Sequence, residues 1–324
     1  MSRGRSAAYP TEIPFSGWKD IGWRIYKQIG EDRVMLIAAG VTFYLLLALV
    51  PAMTATLSIY GLFADRSAMI DHANSLRGFI PDAAMEIIGG QLQRLAAQQS
   101  SSLGLAFGAS LAVALWTTNA GVKALFAAMN VAYDEEEKRS YLKLTGISLL
   151  FTLATICGLI GLIALTVLIP FVIEMAGLSG FGEILGKLAT YAVALVVTVT
   201  GVAALYRFGP SRSNARWQWL SVGSVIAIAV LVVASTAFSW YVANFKSYNA
   251  TYGSLGAIIG FMTWIWISVI ILIIGAEINA ETEHQTMVDS TTGEPKPMGQ
   301  RGAVMADTVG RSFSGEGPEP GDRG

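Results

Sequence analysis

Apolar positions along the chain fall into six long uncharged runs, at 34–64, 95–122, 144–173, 188–206, 217–245 and 247–276. A bilayer core about 30 Å thick takes roughly 20 residues of helix at 1.5 Å rise each. Five runs exceed that length and the fourth just meets it. Backbone polar groups in lipid must be satisfied within the segment, so runs this long are helices. Barrel strands would be about 10 residues of strict alternation, and no such alternation occurs. The pattern predicts an all-α polytopic membrane protein with six transmembrane helices, joined by amphipathic interfacial and periplasmic helices.

Two further stretches show helical period without being apolar throughout. Over 15–33, Trp18, Ile21, Gly22, Ile25, Tyr26 and Ile29 share one face, and Lys19, Asp20, Arg24, Lys27 and Glu31 share the other. This is the pattern of a helix lying in the membrane interface; a soluble helix packed on a partner is the plainer alternative. In 65–102, Pro81-Asp82 opens a second amphipathic stretch with Met85, Ile88, Leu92 and Leu95 at helical spacing. These patterns divide the chain into an N-terminal segment 1–33, a six-span membrane domain 34–284 with its external segment 65–102, and a tail 285–324. The tail is rich in Gly and Pro with scattered charge and is expected to be disordered; its removal after Gln285 is expected to leave stability unchanged.

Charge gives the orientation. Leaving Lys123 aside, the N-terminal segment, the second and fourth connections and the tail hold 16 Lys and Arg, and the remaining connections hold 5. Positive residues stay in the cytoplasm, so both termini are expected there, and an even number of spans agrees. Nothing before residue 34 is apolar enough to be a cleavable signal, so the first span is expected to direct insertion. Charged residues are only 14% of the chain against 53% hydrophobic, and a net charge of −1 does not point to nucleic acid.

Chemistry is sparse. A single cysteine, Cys157, allows no disulfide framework, and His72 and His284 fall on opposite sides of the membrane. No phosphate loop, Ser/His/Asp arrangement or metal-ligand cluster is seen, so neither a cofactor nor an enzymatic activity is expected. Asp134-Glu-Glu-Glu137 followed by Lys138-Arg139 reads as a solvated loop. At 100° per residue, Lys123 and Asn130 lie about 40° and about 20° from Asn119, so the three share a face of the second span. They form either a polar pathway or, for Lys123, a snorkelling side chain near the cytoplasmic surface. Glu277 and Asn279 close the last span, which reads most simply as a helix end reaching water. Glu277 is otherwise expected to form a structural ion pair with Arg207 or Lys123, in preference to a proton-coupling role. Gly104-x-x-x-Gly108 and Gly256-x-x-x-Gly260 would allow close helix contacts, though 34 glycines make chance matches easy. Pro51 and Pro170 are expected to kink their helices.

Several of these stretches also carry a resemblance. Gly40-Val-Thr-Phe-Tyr44 leading to Pro51, Ala114-Leu-Trp116 through Met129-Asn130, and Ala204-Leu-Tyr206-Arg207-Phe-Gly-Pro210 resemble the BrkB/YihY family of bacterial inner-membrane proteins. Tyr252-Gly-Ser-Leu-Gly256 and Gly275-Ala-Glu277-Ile-Asn279-Ala continue the match in order, over about 18–283. The resemblance implies six spans, an inner-membrane location and envelope-related transport, including lipid handling. The family was once labelled ribonuclease BN, but these residues offer no metal site for phosphodiester cleavage. The expected function is a transporter or lipid translocator, with the bilayer and a lipid or small-molecule substrate as partners and room for a homo-oligomer. A non-transporting envelope scaffold is the alternative.

Overall fold

The computed structural model describes residues 3–60, 85, 89–90, 93, 105–175, 180–244 and 254–313. A short α1 (Phe15–Glu31) precedes six long helices: α2 (Val34–Tyr60), α3 (Leu105–Ala132), α4 (Tyr141–Met175), α5 (Phe181–Phe208), α6 (Trp217–Asn244) and α7 (Ser254–Glu283). A single turn, α8 (Val304–Asp307), lies in the tail. Each long helix contains 20 to 26 residues long and apolar enough to cross a membrane. Among the described residues there is no strand, only an isolated bridge between Ala215 and Thr291. The external segment at 65–102 and the turn joining the last two spans lie outside the described residues, save isolated positions in the former.

Neighbouring helices pack in chain order, and α7 closes the bundle by touching α6, α2 and α3. The core is built from small and medium side chains facing one another, among them Ala38, Val41, Met129, Leu205, Val269, Ile273 and Ala276. α6 and α7 approach closely: a Cβ on Gly223 would collide with Gly275 O and Asn279, and one on Gly275 with Ala227 of α6 and the Tyr206 hydroxyl of α5. Glycine is therefore required at both positions. Around Gly108 there is open space, so the Gly104-x-x-x-Gly108 spacing is not a contact. Hydroxyls within the spans turn back on their own helix: Thr42 donates to Ala38 O at 2.7 Å, Thr152 to Ser148 O at 2.8 Å and Thr118 to Ala114 O at 2.8 Å. Such bonds let a polar residue sit in a span without an unsatisfied group. The outer surface is apolar instead, with Leu36, Leu150, Val196 and Val233 all more than 60% exposed, as a lipid-facing surface requires.

The N-terminal segment, the α3–α4 connection, the loop after α5 and the tail all meet at one end of the bundle, here the terminal end. Gln218 Nε2 donates to Ala8 O at 2.9 Å, Met287 N to Arg5 O at 2.8 Å, Val304 N to Glu135 Oε1 at 2.8 Å and Ser213 N to Gly302 O at 2.9 Å. These are the four segments that carry the 16 cations.

Two expectations are corrected here. The tail is not disordered over 285–313: Gln285, Ser290, Thr291, Arg301 and Met305 are buried. Its composition offers little apolar surface, but its backbone groups find side-chain partners. Asp307 accepts from the amides of Gly299, Arg301 and Gly302, and Asp289 from those of Thr291 and Lys296. Arg301 donates to Lys296 O, Ala306 O and Met287 O. These contacts hold Asp289 below the usual carboxylate range despite the opposing effect of burial. The second correction concerns α1, whose polar face is exposed only at Lys19, Lys27 and Glu31. Asp20 and Arg24 are buried, Asp20 by Arg3 at 2.9 Å and Arg24 by Glu281 and by Arg311 O at 2.9 Å. Phe15 and Tyr26 are exposed instead. Local period could not show that distant charges would cover part of that face.

Candidate functional site

The five residues singled out in the sequence go to different places. Asn119 is buried in the bundle, with Oδ1 lacking a donor. Lys123 lies between α3 and α4: its Nζ donates to Thr145 Oγ1 at 2.8 Å and sits 4.6 Å from the Tyr141 ring centroid and 5.8 Å from that of Trp116. The lysine is an inter-helix clasp with a partly exposed side chain. Asn130 is a loop bracket. Its Oδ1 accepts from Ser211 N at 2.7 Å and its Nδ2 donates to Glu137 Oε2 at 3.1 Å, tying the α3–α4 connection to the loop after α5. The shared helical face is real, but Lys123 and Asn130 serve different partners and Asn119 Oδ1 has no donor among the described residues, so the three are not joined in one pathway.

The Arg207–Glu277 pair is also corrected. Arg207 donates to Ala215 O at 2.6 Å and stacks 4.6 Å from the Trp217 ring centroid. Glu277 is fully buried and faces the Asp32 carboxyl. Arg207 sits at the rim of α5 and reaches along the following loop, so it turns away from α7. With only a hydrogen bond and ring contacts to lose, Lys123→Met is expected to lower stability by about 1 kcal/mol. Thermal unfolding in detergent checks this; a collapse of folded yield would contradict the clasp.

Sequence reasoning passed over the groups that do shape the terminal end. Asp134-Glu-Glu-Glu137 is not a freely solvated run. Glu135 is buried and accepts from Lys138 Nζ at 2.7 Å. Glu137 receives Arg139 Nε and Nη2, each at 2.7 Å, and Arg139 also donates to Phe208 O and Gly209 O. Burial opposes the Glu137 charge, but the Arg139 and Asn130 bonds outweigh it and hold the carboxyl down to about 2. Arg212 forks onto Glu283 with bonds of 2.8 and 2.5 Å, both side chains almost wholly buried, and lies 5.1 Å from the Tyr133 ring centroid. Burial works against the guanidinium charge, yet Glu283 keeps it above its ordinary value.

These clamps frame a cleft of about 840 Å³ between α4 and α5. Its walls are Ile147, Leu150, Phe151 and Ala154 of α4 with Ala204 and Phe208 of α5. Its polar end is made by Lys138, Arg139, Ser140 and Lys143 on one side and 210–214 on the other. Arg139 and Arg212 are neutralised by Glu137 and Glu283. The Lys138 side chain is 58% exposed beside Glu135, and Lys143 is exposed with no side-chain partner among the described residues. The apolar wall runs out onto the lipid-facing surface at Leu150. The slot thus has apolar walls and a polar mouth carrying Lys143 and the Lys138–Glu135 pair. Among the described residues, no group of three or more His, Cys, Asp or Glu could hold a metal ion.

Comparison with known proteins agrees with the architecture. A family model described as virulence factor BrkB matches residues 25–300. The ribonuclease-like protein YfkH of Bacillus subtilis is 30% identical over 219 residues, covering 62% of this chain and 74% of YfkH. The UPF0761 membrane protein PBPRA3489 of Photobacterium profundum is 24% identical over 274 residues, covering 83% of this chain and 82% of the relative. A UPF0761 membrane protein of Pseudoalteromonas translucida, PSHAa0171, is 23% identical over 266 residues, covering 80% and 85%. The UPF0761 names speak of membrane integration and indicate no enzymatic activity. No solved structure matches the chain. With a family model covering most of its length and relatives aligned along its spans, the chain belongs to the BrkB/YihY family of membrane proteins.

Proposed function

We propose that this protein sits in the inner membrane of a bacterium with both termini in the cytoplasm, and that it is a lipid translocator taking anionic phospholipid headgroups into the α4/α5 cleft. The observation that carries this reading is the cleft itself: an apolar wall open to lipid, ending at exposed Lys143 and at Lys138, whose ammonium is paired with Glu135 while its side chain stays 58% exposed. A soluble anion would gain nothing from the wall, and an apolar ligand would gain nothing from the lysines. Orientation is supported by the segments that meet at the terminal end, whose sequence carries 16 of the cations. The exposed Phe15 and Tyr26 of α1, with Lys19 above the Phe15 ring and Lys27 above Trp23, suit a helix lying at that membrane surface.

The test is leaflet exchange in proteoliposomes carrying a fluorescent phosphatidylglycerol that is quenched from outside. The reconstituted protein is expected to speed exchange well above the protein-free rate. Lys143→Glu is expected to slow it by about 5-fold, since one lysine near an anionic headgroup is worth about 1 kcal/mol. An exchange rate equal to that of empty liposomes, from protein that is folded and inserted, would leave the scaffold reading in its place.

A further inference from the structure

Behind the terminal end lies a set of buried polar groups that the cleft does not use. Glu277 on α7 is 0% exposed, and neither carboxyl oxygen has an N–H or O–H donor. Facing it is the carboxyl of Asp32 from the turn between α1 and α2. Asp32 is half-buried, with Oδ2 shielded from water and also without a donor. The Tyr133 hydroxyl and the Asn279 amide group, both buried, lie against each other, while Asn279 Oδ1 is occupied by Gly223 N at 2.8 Å.

Two carboxylates in contact repel, and a hydrogen bond between them exists only when one carries a proton. Among the described residues, no cation forms an ion pair with either carboxyl. Arg24 is committed to Glu281 and Arg311 O, and Arg212 to Glu283. The remaining groups facing the pair are Asp134 after α3 and Glu281 on α7, with Glu31 beside Asp32. All are acidic, and His284 is turned to Glu281. A metal ion fits poorly, because the groups near Glu277 include an amide donor and the acids do not converge as ligands. Burial pushes the Asp32 carboxyl above its usual range, and the nearby acids push it the same way against its bond to Glu277. The turn is held in an unusual backbone conformation, with Arg33 at φ 50°, which fixes Asp32 over α7.

We propose that Asp32 and Glu277 form a proton-binding site, holding one proton between two carboxyls at neutral pH and exchanging it with water at the terminal end. Asp32 is the member that water reaches, and Glu277 is the buried one that keeps the proton. The proton moves from water to an Asp32 oxygen and across the shared hydrogen bond to Glu277, so the pair carries a single negative charge when loaded. This site is independent of the lipid cleft and stands whether or not lipid is moved.

The test is infrared spectroscopy of the full-length protein in nanodiscs. At pH 7 the wild type is expected to show the C=O stretch of a protonated carboxyl, resistant to rapid hydrogen–deuterium exchange. Glu277→Gln is expected to remove it, since Asp32 alone reaches water and ionises. Asp32→Asn is expected to keep the band but shift its frequency, because Glu277 then bonds an amide instead of a carboxylate. Both variants are isosteric, and thermal unfolding confirms that each is folded. The proton also predicts a pH sign: the folded state binds more protons than the unfolded chain, so this pair's contribution to stability is lost as pH rises, and Glu277→Gln abolishes that loss. A wild type with no protonated-carboxyl band at pH 7, or a band unchanged in folded Glu277→Gln, would overturn the site.

Discussion

Arg212→Met is expected to destabilise the protein by about 3–5 kcal/mol, among the largest effects of any single substitution in the chain. The reason lies in the partner it abandons. Arg212 and Glu283 have side chains only 2% and 1% exposed, joined by two parallel bonds. Removing the guanidinium leaves Glu283 buried with only Ser290 donating to it. A charge in that position costs far more than the pair contributes when intact. Arg212→Met/Glu283→Gln, which removes both charges, is therefore expected to recover most of the loss. Thermal unfolding of the three variants in one detergent checks this; a double variant no better than the single would place the effect in packing against Tyr133.

Ending the chain after Gln285 is expected to be worse still. Composition alone argues that these residues are dispensable, but the structure argues the opposite. The missing segment supplies the carbonyl of Gly310 to Arg5, that of Arg311 to Arg24, that of Gly302 to Ser213 and that of Thr291 to Arg216. It also takes its own amides to Glu135 and Asp20. At about 1 kcal/mol for each bond, and more where a charged partner is left buried, the loss is on the order of 5 kcal/mol or greater. The expected result is a low yield of monodisperse protein and a sharply lower unfolding temperature. A truncated protein as stable as the full chain would mean that this docking is energetically idle.

These two cases show what a sequence reveals and what it hides. The spans were legible because lipid imposes a simple rule: no charge for about 20 residues. The grouping of loops by side was legible too, since cations mark it chemically. The tail was not, because its partners Arg3, Arg5 and Ala7 lie some 280 positions away and no local period records such a pairing. Distance along the chain likewise hid Asp32 from Glu277, whereas Arg207 finds Ala215 only 8 positions on, in a loop whose path the sequence does not show. Arg207 and Glu277 both read as lying on the same side of the membrane, but proximity to a surface does not say which neighbour a side chain meets. Asn130 was noticed for its helical face, whereas its role comes from Glu137 and Ser211, on two different loops. The cleft could not be read at all: Lys138 and Lys143 look like any loop lysines until α5 is placed beside them.

The cleft is tested most directly by photo-crosslinking with a phosphatidylglycerol bearing a reactive group near its phosphate, followed by peptide mapping of the folded protein in mixed liposomes. Adducts are expected to concentrate on 138–151 and 204–214, to exceed those of the matching phosphatidylcholine probe several-fold, and to fall by about 5-fold or more in Lys138→Glu/Lys143→Glu. Adducts spread evenly over the lipid-facing surface, as many near Val196 and Val233 as in the cleft and equal for the two headgroups, would contradict a headgroup site between α4 and α5.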